Sequence, residues 1–578
     1  MIRIKDHKTR YMFDPFGNLG KKRKKLLEDS WAGIFRDHVL PILPVNLLSE
    51  HFDENTGRPS NELVAMMGAM ILQQMHDLTD EETVSQFAFN IQWHYALDIT
   101  SHSDNDSYVC PKSIWNTRHI MSSHDLYQPV FEAVADSLAK VFKVDSSLQR
   151  LDSVHVFSNM RHLGRIGIFA KTIQKFLTNL KRHHRDLFDA MDKEFTDRYL
   201  RKEEESIFSM VKPSESSRIL QALGNDLFFL IERFSSHKDV TTMTSYQLMV
   251  RLLREQCLVE EDPDSQTKTV IIKSNKEVAS DSLQSPCDPD ATYDGHKGKG
   301  YQVQVAETYS TDMEKEELSL ITYVEVEGAH KNDSDALIPY IEATIERELA
   351  PEQVLADTAY GGDCNCAKAK GLGVEVVSPC SGRHTKGHYG LVDFTFSLDG
   401  KVVVCPRGYA PLKTKKEKDA FNAIFSSETC GDCNECPARP GGAKSKYLRY
   451  DTKELRLARR KAFEKTTEFL DKYRFRAGIE ATMSQLDRRT GLKHLRVRGM
   501  RAVRFCAFLK ATGINILRAA AFKCGQNEDD SPIRGPFSVL CTLSSVLHTL
   551  IMLLKEQFRF DLVVRWRNIL EVCLEFQF

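Results

Sequence analysis

Three carboxylates and one basic, aromatic stretch carry most of the chemistry open to this sequence. Asp152 lies inside the strand-like run LDSVHVF, Asp357 ends the short apolar run QVLAD, and Glu480 lies in the later stretch KYRFRAGIEATMSQLDRRTGLKHLRVRGMRAVRFCAFLKATGIN. A carboxylate flanked by Leu and Val in a strand must be paired, metal-bound or at the strand's end. In the later stretch Tyr473, Arg476, Glu480 and Asp487 follow i, i+3, i+7, i+14 spacing, so they share roughly one helix face. Phe475, Ile479, Met483 and Leu486 form an apolar stripe beside them. Such a face suits a metal ion and a phosphodiester: Glu binds a hard cation, Arg forks onto a phosphate, and Tyr donates to an oxygen. Arg488, Arg489 and Lys493, with Arg496, Arg498, Arg501 and Arg504 beyond, could follow a polyanion. The same spacing equally describes an amphipathic helix with a solvated charged face.

If the Asp152 and Asp357 strands sit centrally and the helix crosses their ends, three carboxylates converge. Two divalent ions about 4 Å apart could then clamp the attacking and leaving oxygens of a phosphoryl transfer. Mg²⁺ suits an all-oxygen site that keeps places for water and phosphate. Because the chain holds 80 Asp plus Glu, acidic triples are common, and only the order of elements singles this one out. His155 and Asn159 follow Asp152 and could support it, although local hydrogen bonding is the simpler role. Lys297 and Lys299, in DGHKGKGY, could face DNA or line an ordinary solvated loop.

A second constellation is Cys430, Cys433 and Cys436, two CxxC steps sharing Cys433, with Cys405 upstream after a valine run. Four thiolates could close a tetrahedral structural zinc site; the alternative is unligated thiols. Cys364 and Cys366 are a weaker pair.

The elements that must position these groups follow in order. Residues 1 to about 45 contain the basic run Lys21 to Lys25, either a DNA-contacting arm or a solubilising patch. From Ser60 to about Arg118 the pattern is helical: one helix capped at Ser60, a second opened by Thr79, a loop from Asp104 to Pro111, and a third from Lys112. Three short helices fit a helix-turn-helix reader or any small bundle. After the Asp152 strand, residues 160 to about 258 are helical and highly charged. Strands follow at Gly300–Ala306 and Leu318–Val326, then a helix over Asp333–Leu349, a strand over Gln353–Asp357 with a glycine turn after it, and a strand over Gly373–Val377. This order predicts an α/β layer. Residues 378 to about 445 read as a small β-rich insertion with few large apolar residues, too few to stabilise it by burial alone.

Composition narrows the class. The 578 residues are 42% hydrophobic and 28% charged, as in a soluble globular protein with room for several domains. A net charge of −1 means that any polyanion contact is a local patch. The polar, basic N-terminus does not read as a secretory signal, so the fourteen cysteines are expected to be mostly reduced, in a cytosol-like compartment. The apolar run Phe537 to Leu554 carries too many polar residues for a membrane span and reads as a buried helix.

LDSVHVFSNM, GYQVQVAETY, VLADTAYGG and YRFRAGIEATMSQL followed by LRVRGMRAVRF together resemble the DDE transposases of bacterial insertion sequences, in the group with a Tyr-x2-Arg-x3-Glu-x6-Lys motif. RPSNELVAMMGAMILQQMHDLTDEETVSQF resembles that group's N-terminal helical domain. The resemblance spans roughly residues 45 to 520, and departs from the motif where Asp487 stands in place of Lys or Arg. It implies an α/β chain with a ribonuclease-H-like mixed-sheet core. The implied domains are an N-terminal helical DNA-binding domain (1–125), a first core part (146–377) with a helical insertion (160–260), a β-rich Cys-containing insertion (378–450), the Glu-bearing helices (451–525) and a C-terminal helical tail (526–578). Asp152, Asp357 and Glu480 would be catalytic and hold two Mg²⁺ or Mn²⁺. Tyr473, Arg476, Arg488, Arg489 and Lys493 would contact DNA. The implied partners are double-stranded DNA, as terminal inverted repeats and target, and a second copy on paired ends. The place is the bacterial cytoplasm, nucleoid-associated, with no membrane. Two other readings stay open: a non-catalytic DNA-binding descendant, and a nuclease of the same fold that nicks without joining.

Overall fold

The computed structural model describes the chain except residues 1, 10–13, 54–58, 161–162, 201–212, 262–267, 313–316, 382–387, 431–435, 438, 441–444 and 530–578. It divides into two compact units, Met1–Ala520 and Ala521–Phe578. Nearly all of the second lies outside the described residues, and the run Phe537 to Leu554 lies there entirely.

The first unit is mixed α/β. Its strands in chain order are β1 (Leu148–Phe157), β2 (Cys257–Glu261), β3 (Lys268–Ile272), β4 (Thr292–Asp294), β5 (Gly298–Thr308), β6 (Ile321–Gly328), β7 (Gln353–Ala356) and β8 (Glu375–Val377). The main sheet runs β4-β5-β1-β7-β8, with β6 also on β5. β6, β5 and β1 pair antiparallel, and β1, β7 and β8 parallel. β1 is therefore central, and its buried side chains are largely apolar, as the centre of a sheet requires. Gln149, fully buried, is polar but satisfied: its amide donates to Leu349 O and Ser146 O, and its carbonyl accepts from Thr322 and Tyr340.

One face of the sheet packs Leu151, Ala306, Val354 and Ala356 against Leu337, Tyr340 and Ile341 of the helix Leu337–Glu346 and Ala369 of Asp363–Gly371. The other face meets the helices Thr467–Tyr473, Gly478–Thr490 and Met500–Asp529 through Phe469, Tyr473 and Phe475 and through polar bonds to Thr482, Asn515 and Arg518. Asn515 bonds both backbone groups of Ile321, extending the ladder at the start of β6. Met500–Gln526 is long and apolar enough to cross a membrane, yet 78% of its apolar window is buried within the structure.

Between β1 and β4 lie the helices Arg165–His183, Ser216–Phe234 and Thr244–Gln256 around their own core of Phe169, Phe176, Leu227 and Leu252, with the β2–β3 hairpin at its side. Between Trp31 and Phe142 the described elements are helices. Leu63–Met75 is buried along its whole length and is capped by Glu62, not Ser60: Glu62 accepts from Val64 N and Ala65 N, while Ser60 accepts from Arg3 N. Thr79 and Glu82 form a capping box for Asp80–Phe89. The second helix stops at Asn90, whose side chain caps a separate helix, Ile91–Ala96, and the expected loop after it contains a helical turn, Asp104–Ser107. The third helix is Pro111–Ser123.

The expectation of a coreless segment after β8 is corrected. Strands at Lys413–Glu417, Ala420–Ser426 and Ser445–Asp451 bury Phe421, Phe425, Leu448 and Tyr450, with Phe394, Val402 and Leu455. Aromatic residues at alternating positions supply the area that their small number did not promise.

Glu307 of β5 is fully buried and accepts from Arg150 (2.7 Å), Arg518 (2.8 Å) and Thr482 (2.6 Å). Removing one partner of a buried charge cluster strands the others. Glu307→Ala is therefore expected to cost about 3–5 kcal/mol, read as faster amide exchange over residues 298–308 and 478–490; unchanged exchange there would refute it.

Candidate active site

Asp152 and Asp357 are brought together by strand register. Leu151 pairs with Ala356 in the parallel β1–β7 ladder, so the next residue of each strand is a carboxylate. Each carboxylate accepts the following backbone N–H: Ser153 N at 2.8 Å and Thr358 N at 2.6 Å. Burial raises the Asp152 pKa, and the charges of Asp333 and Asp357 add to it, against the pull of Arg476 and the Ser153 amide.

The expected single helix through Tyr473 and Glu480 is instead three pieces. Thr467–Tyr473 gives way to a 3-10 turn, Arg474–Ala477, before the α-helix Gly478–Thr490. The turn brings Arg476 across the sheet: its Nη2 donates to Asp152 Oδ2 at 2.7 Å and its Nη1 to Glu480 Oε1 at 2.9 Å. Glu480 is thereby tied to the Asp152 strand, although its own side chain is 67% exposed. Burial works against the Arg476 charge, but Asp152, Tyr473, Asp357 and Glu480 outweigh it and raise its pKa. Arg476 Nε is buried with no hydrogen-bond partner, so a donor remains for an incoming oxygen. Tyr473 stacks on Phe469 with centroids 5.3 Å apart, and burial raises its pKa, with Asp357 and Asp152 close enough to contribute.

Of the apolar stripe, Ile479, Met483 and Leu486 are buried and Phe475 stacks on Tyr309. Arg488 and Arg489 are exposed on the last turn, and Lys493 is half-buried. Asp487 accepts from the Lys493 backbone, shaping the turn at Gly491, whose φ is +66°. His155 is buried beside the Lys299 backbone, and its ring packs on Phe157. Lys299 is committed to Leu163 O.

A buried polar chain near the Asp357 turn was missed in the sequence. Tyr360, in the turn after Asp357, is fully buried and donates to Gln304 at 2.6 Å. Asp333 accepts from Gln302 (2.6 Å) and Gln304 (3.1 Å). The signal was present in YQVQVAE: two glutamines at period two on a strand otherwise apolar must find polar partners on one face.

Cys405, Cys430 and Cys436 line one cavity with Phe394, Tyr409 and Phe425, and the Tyr409 N–H points to the Cys405 sulfur at 3.4 Å. Cys433 lies outside the described residues. Among the described residues no three His, Cys, Asp or Glu side chains stand in a ready metal-ligating array. Arg476 instead bridges Asp152 and Glu480. The donor set itself, all carboxylate oxygen, partly desolvated and already holding a cation, fits a hard divalent ion.

Gly478 opens the Glu480 helix where a Cβ would meet Arg150 Nη1 at 1.9 Å. Arg150 cannot move freely, since it also holds Phe475 O and Glu307. Gly478→Ala is expected to destabilise by roughly 1–3 kcal/mol, against the gain of about 1 kcal/mol that helix propensity alone would bring; a thermal melt at or above the parent's would overturn this.

Two protein families match the chain. One, described as a transposase DDE domain, matches residues 404–520, and the other, described as a transposase domain (DUF772), matches residues 29–119. The first takes in Tyr473, Arg476 and Glu480 but neither Asp152 nor Asp357, which join it only through the fold. The two matches indicate a transposase. No curated protein matches the chain.

Proposed function

We propose that this chain is a DDE transposase of a bacterial insertion sequence, built on a ribonuclease-H-like core. It would hydrolyse phosphodiesters at the element's ends and join the freed 3′-hydroxyls to target DNA. The observation that carries the reading is the Arg476 bridge from Asp152 to Glu480, with Asp357 one strand over; of these, Arg476 and Glu480 lie in the stretch matched by a DDE domain. The strand order, three antiparallel strands followed by two parallel ones with the first strand central, supports the core assignment.

Asp152, Asp357 and Glu480 would hold two Mg²⁺ or Mn²⁺ ions, which when bound activate the attacking oxygen and stabilise the leaving one. Arg476, already fixed at the carboxylates, presents its buried Nε to a phosphate oxygen. Tyr473, held by its stack on Phe469, would donate its hydroxyl to the same group. Arg488, Arg489 and Lys493 lead away along the DNA backbone, Arg488 and Arg489 at the solvent surface. The Tyr-Arg-Glu-Lys grouping rests on Tyr473, Arg476 and Glu480; at the fourth position Asp487 serves a turn, and its neighbours Arg488 and Arg489 supply the charge. The N-terminal helices would read the ends, and two copies would pair them in the cytoplasm.

The test uses the full chain with Mg²⁺ and a plasmid carrying the DNA that flanks its own gene. New 3′-hydroxyl ends followed by joined products support a transposase; nicks without joining favour a nuclease, and binding alone a non-catalytic descendant. Asp152→Asn, Asp357→Asn and Glu480→Gln are each expected to lower cleavage by at least about a thousandfold, as loss of a metal ligand removes both activation and charge stabilisation, while end binding persists. Cleavage at the parent rate by any one of them removes that residue from the site.

Cys405, Cys430, Cys433 and Cys436 are proposed as ligands of a structural zinc, supported by the three thiols around one cavity. Purified protein from zinc-replete cells is expected to carry about one zinc per chain, and Cys433→Ser to lose it and become protease-sensitive over residues 378–450. Metal-free protein with a resistant segment leaves these as ordinary thiols.

A further inference from the structure

The basic run Lys21-Lys22-Arg23-Lys24-Lys25 is not an extended arm. It forms the helix Lys21–Glu28, which follows Gly20 and is anchored by one buried side chain, Leu27. Lys21, Lys22, Arg23 and Lys25 are exposed and make no ion pair among the described residues, while Lys24 reaches Glu28 at 3.8 Å. As a helix the segment is poorly balanced. Its first turn holds cations and no acid, at the end where the backbone dipole already presents positive charge. Lys21 and Lys25 stand four positions apart and repel along one face. No side chain caps the first turn. An anion lying against the helix relieves all three costs.

The helix's place in the fold says which anion. Just past it, Trp31 meets His76 edge to face, with ring centroids 5.2 Å apart. The next residue, Asp77, accepts from Arg496 at 2.9 Å and from Lys510 at 2.8 Å, and a Cβ on Gly491 would stand 3.3 Å from its carboxylate. Gly491 ends the Glu480 helix, whose last turn carries Arg488 and Arg489. Trp31 follows Lys25 by six positions, at most about 20 Å of chain. The cationic helix and the Arg488–Arg489 end of the Glu480 helix therefore lie around one corner, on the scale of one turn of duplex DNA, about 34 Å. Asp77, Asp80 and Glu82 at this corner are already engaged, by Lys510 and Arg496, by Arg118 and by the Thr79 backbone. They do not neutralise the four exposed cations.

We propose that the helix Lys21–Glu28 is a phosphate-binding surface for double-stranded DNA, gripping the backbone of the duplex that leaves the Arg488–Arg489 end of the Glu480 helix. This rests on the DNA reading above and extends it to a helix outside both family matches, which begin at residue 29. The contact is to phosphates: a run made almost wholly of lysines supplies charge, and base readout is left to the other helices.

The test measures binding of the full chain to a labelled duplex carrying the DNA that flanks its gene, between about 50 and 200 mM salt. A variant combining Lys21→Gln, Lys22→Gln, Arg23→Gln and Lys25→Gln is expected to flatten the slope of log K against log salt by about 3 units, at about 0.9 for each phosphate neutralised. Its melting temperature should not fall, since the four side chains are exposed. Its preference for that duplex over an unrelated one of equal length should persist, as phosphate contacts carry no sequence. A control combining Arg182→Gln, Lys193→Gln, Lys238→Gln and Lys276→Gln removes the same charge from exposed sites between β1 and β4, and should move the slope by less than about 1 unit. Hydroxyl-radical footprints should show that the protection lost by the first variant lies within about two turns of the cleaved bond; loss only farther away overturns the shared path. An unchanged slope overturns the proposal, whether or not the variant loses binding to phosphatidylserine vesicles. A control that flattens the slope equally also overturns it, by reducing the effect to net charge. A parent chain that binds neither duplex overturns the DNA reading and this surface with it, whereas a parent that binds with a variant of equal slope overturns the surface alone.

Discussion

The buried carboxylate of Glu307 holds the main sheet and the Glu480 helix together. It lies on β5, and its three donors come from three other elements: Arg150 from β1, Thr482 from the Glu480 helix, and Arg518 from the long helix that follows. A charge without solvent must be met by charges and hydrogen bonds of good geometry, and here two guanidinium groups and a hydroxyl meet it. Because the donors reach it from different directions, the cluster specifies more than attraction. It fixes the height and rotation of the Glu480 helix over the sheet. Arg150 continues the link by bonding Phe475 O, at the 3-10 turn that carries Arg476. The position of Arg476 at Asp152 follows from a contact two residue pairs along β1, on the same face of the sheet.

A similar device ties the N-terminal helices to this half. Lys510, almost wholly buried, bonds Asp77 Oδ1 at 2.8 Å and the carbonyl of Thr490, the last residue of the Glu480 helix. Arg496 reaches Asp77 from the following turn. Asp77 lies in the left-handed region, φ +51°, at the corner between Leu63–Met75 and Asp80–Phe89. A residue in that conformation stores backbone strain, which the two cations offset. The helices proposed to read DNA and the helix proposed to cut it therefore share one corner residue.

The carboxylate site is the reverse case, an arrangement that is not balanced by its own protein neighbours. Asp152 and Asp357 are held near one another by β-ladder register, while one guanidinium meets Asp152 alone of the two. Stability elsewhere, in Glu307 and in the sheet core of Leu151, Val354 and Tyr340, is what lets such a cluster persist. Clusters of this kind mark places where a ligand supplies the missing charge.

Much of this was legible in the chain. Alternating and continuous apolar runs located β1, β5, β6, β7 and β8, and Thr79 with Glu82 announced a helix start, because these signals act through neighbours in sequence. The spacing of Tyr473, Arg476 and Glu480 was legible for the same reason, and the apolar stripe Ile479, Met483 and Leu486 does face inward. Local patterns did not show the 3-10 turn at Arg474–Ala477, since the pull on Arg476 comes from Asp152, over three hundred residues away. They did not show that Phe421, Phe425 and Tyr450 gather into a core, because strand pairing decides which alternate residues meet. Asp333 is the clearest case. By itself it is one of 80 acidic residues, and only the tertiary fold brings it the side chains of two buried glutamines from β5. Sequence determines the elements, whose causes are local; long-range pairing, paid for by burial, decides which charges must share a space.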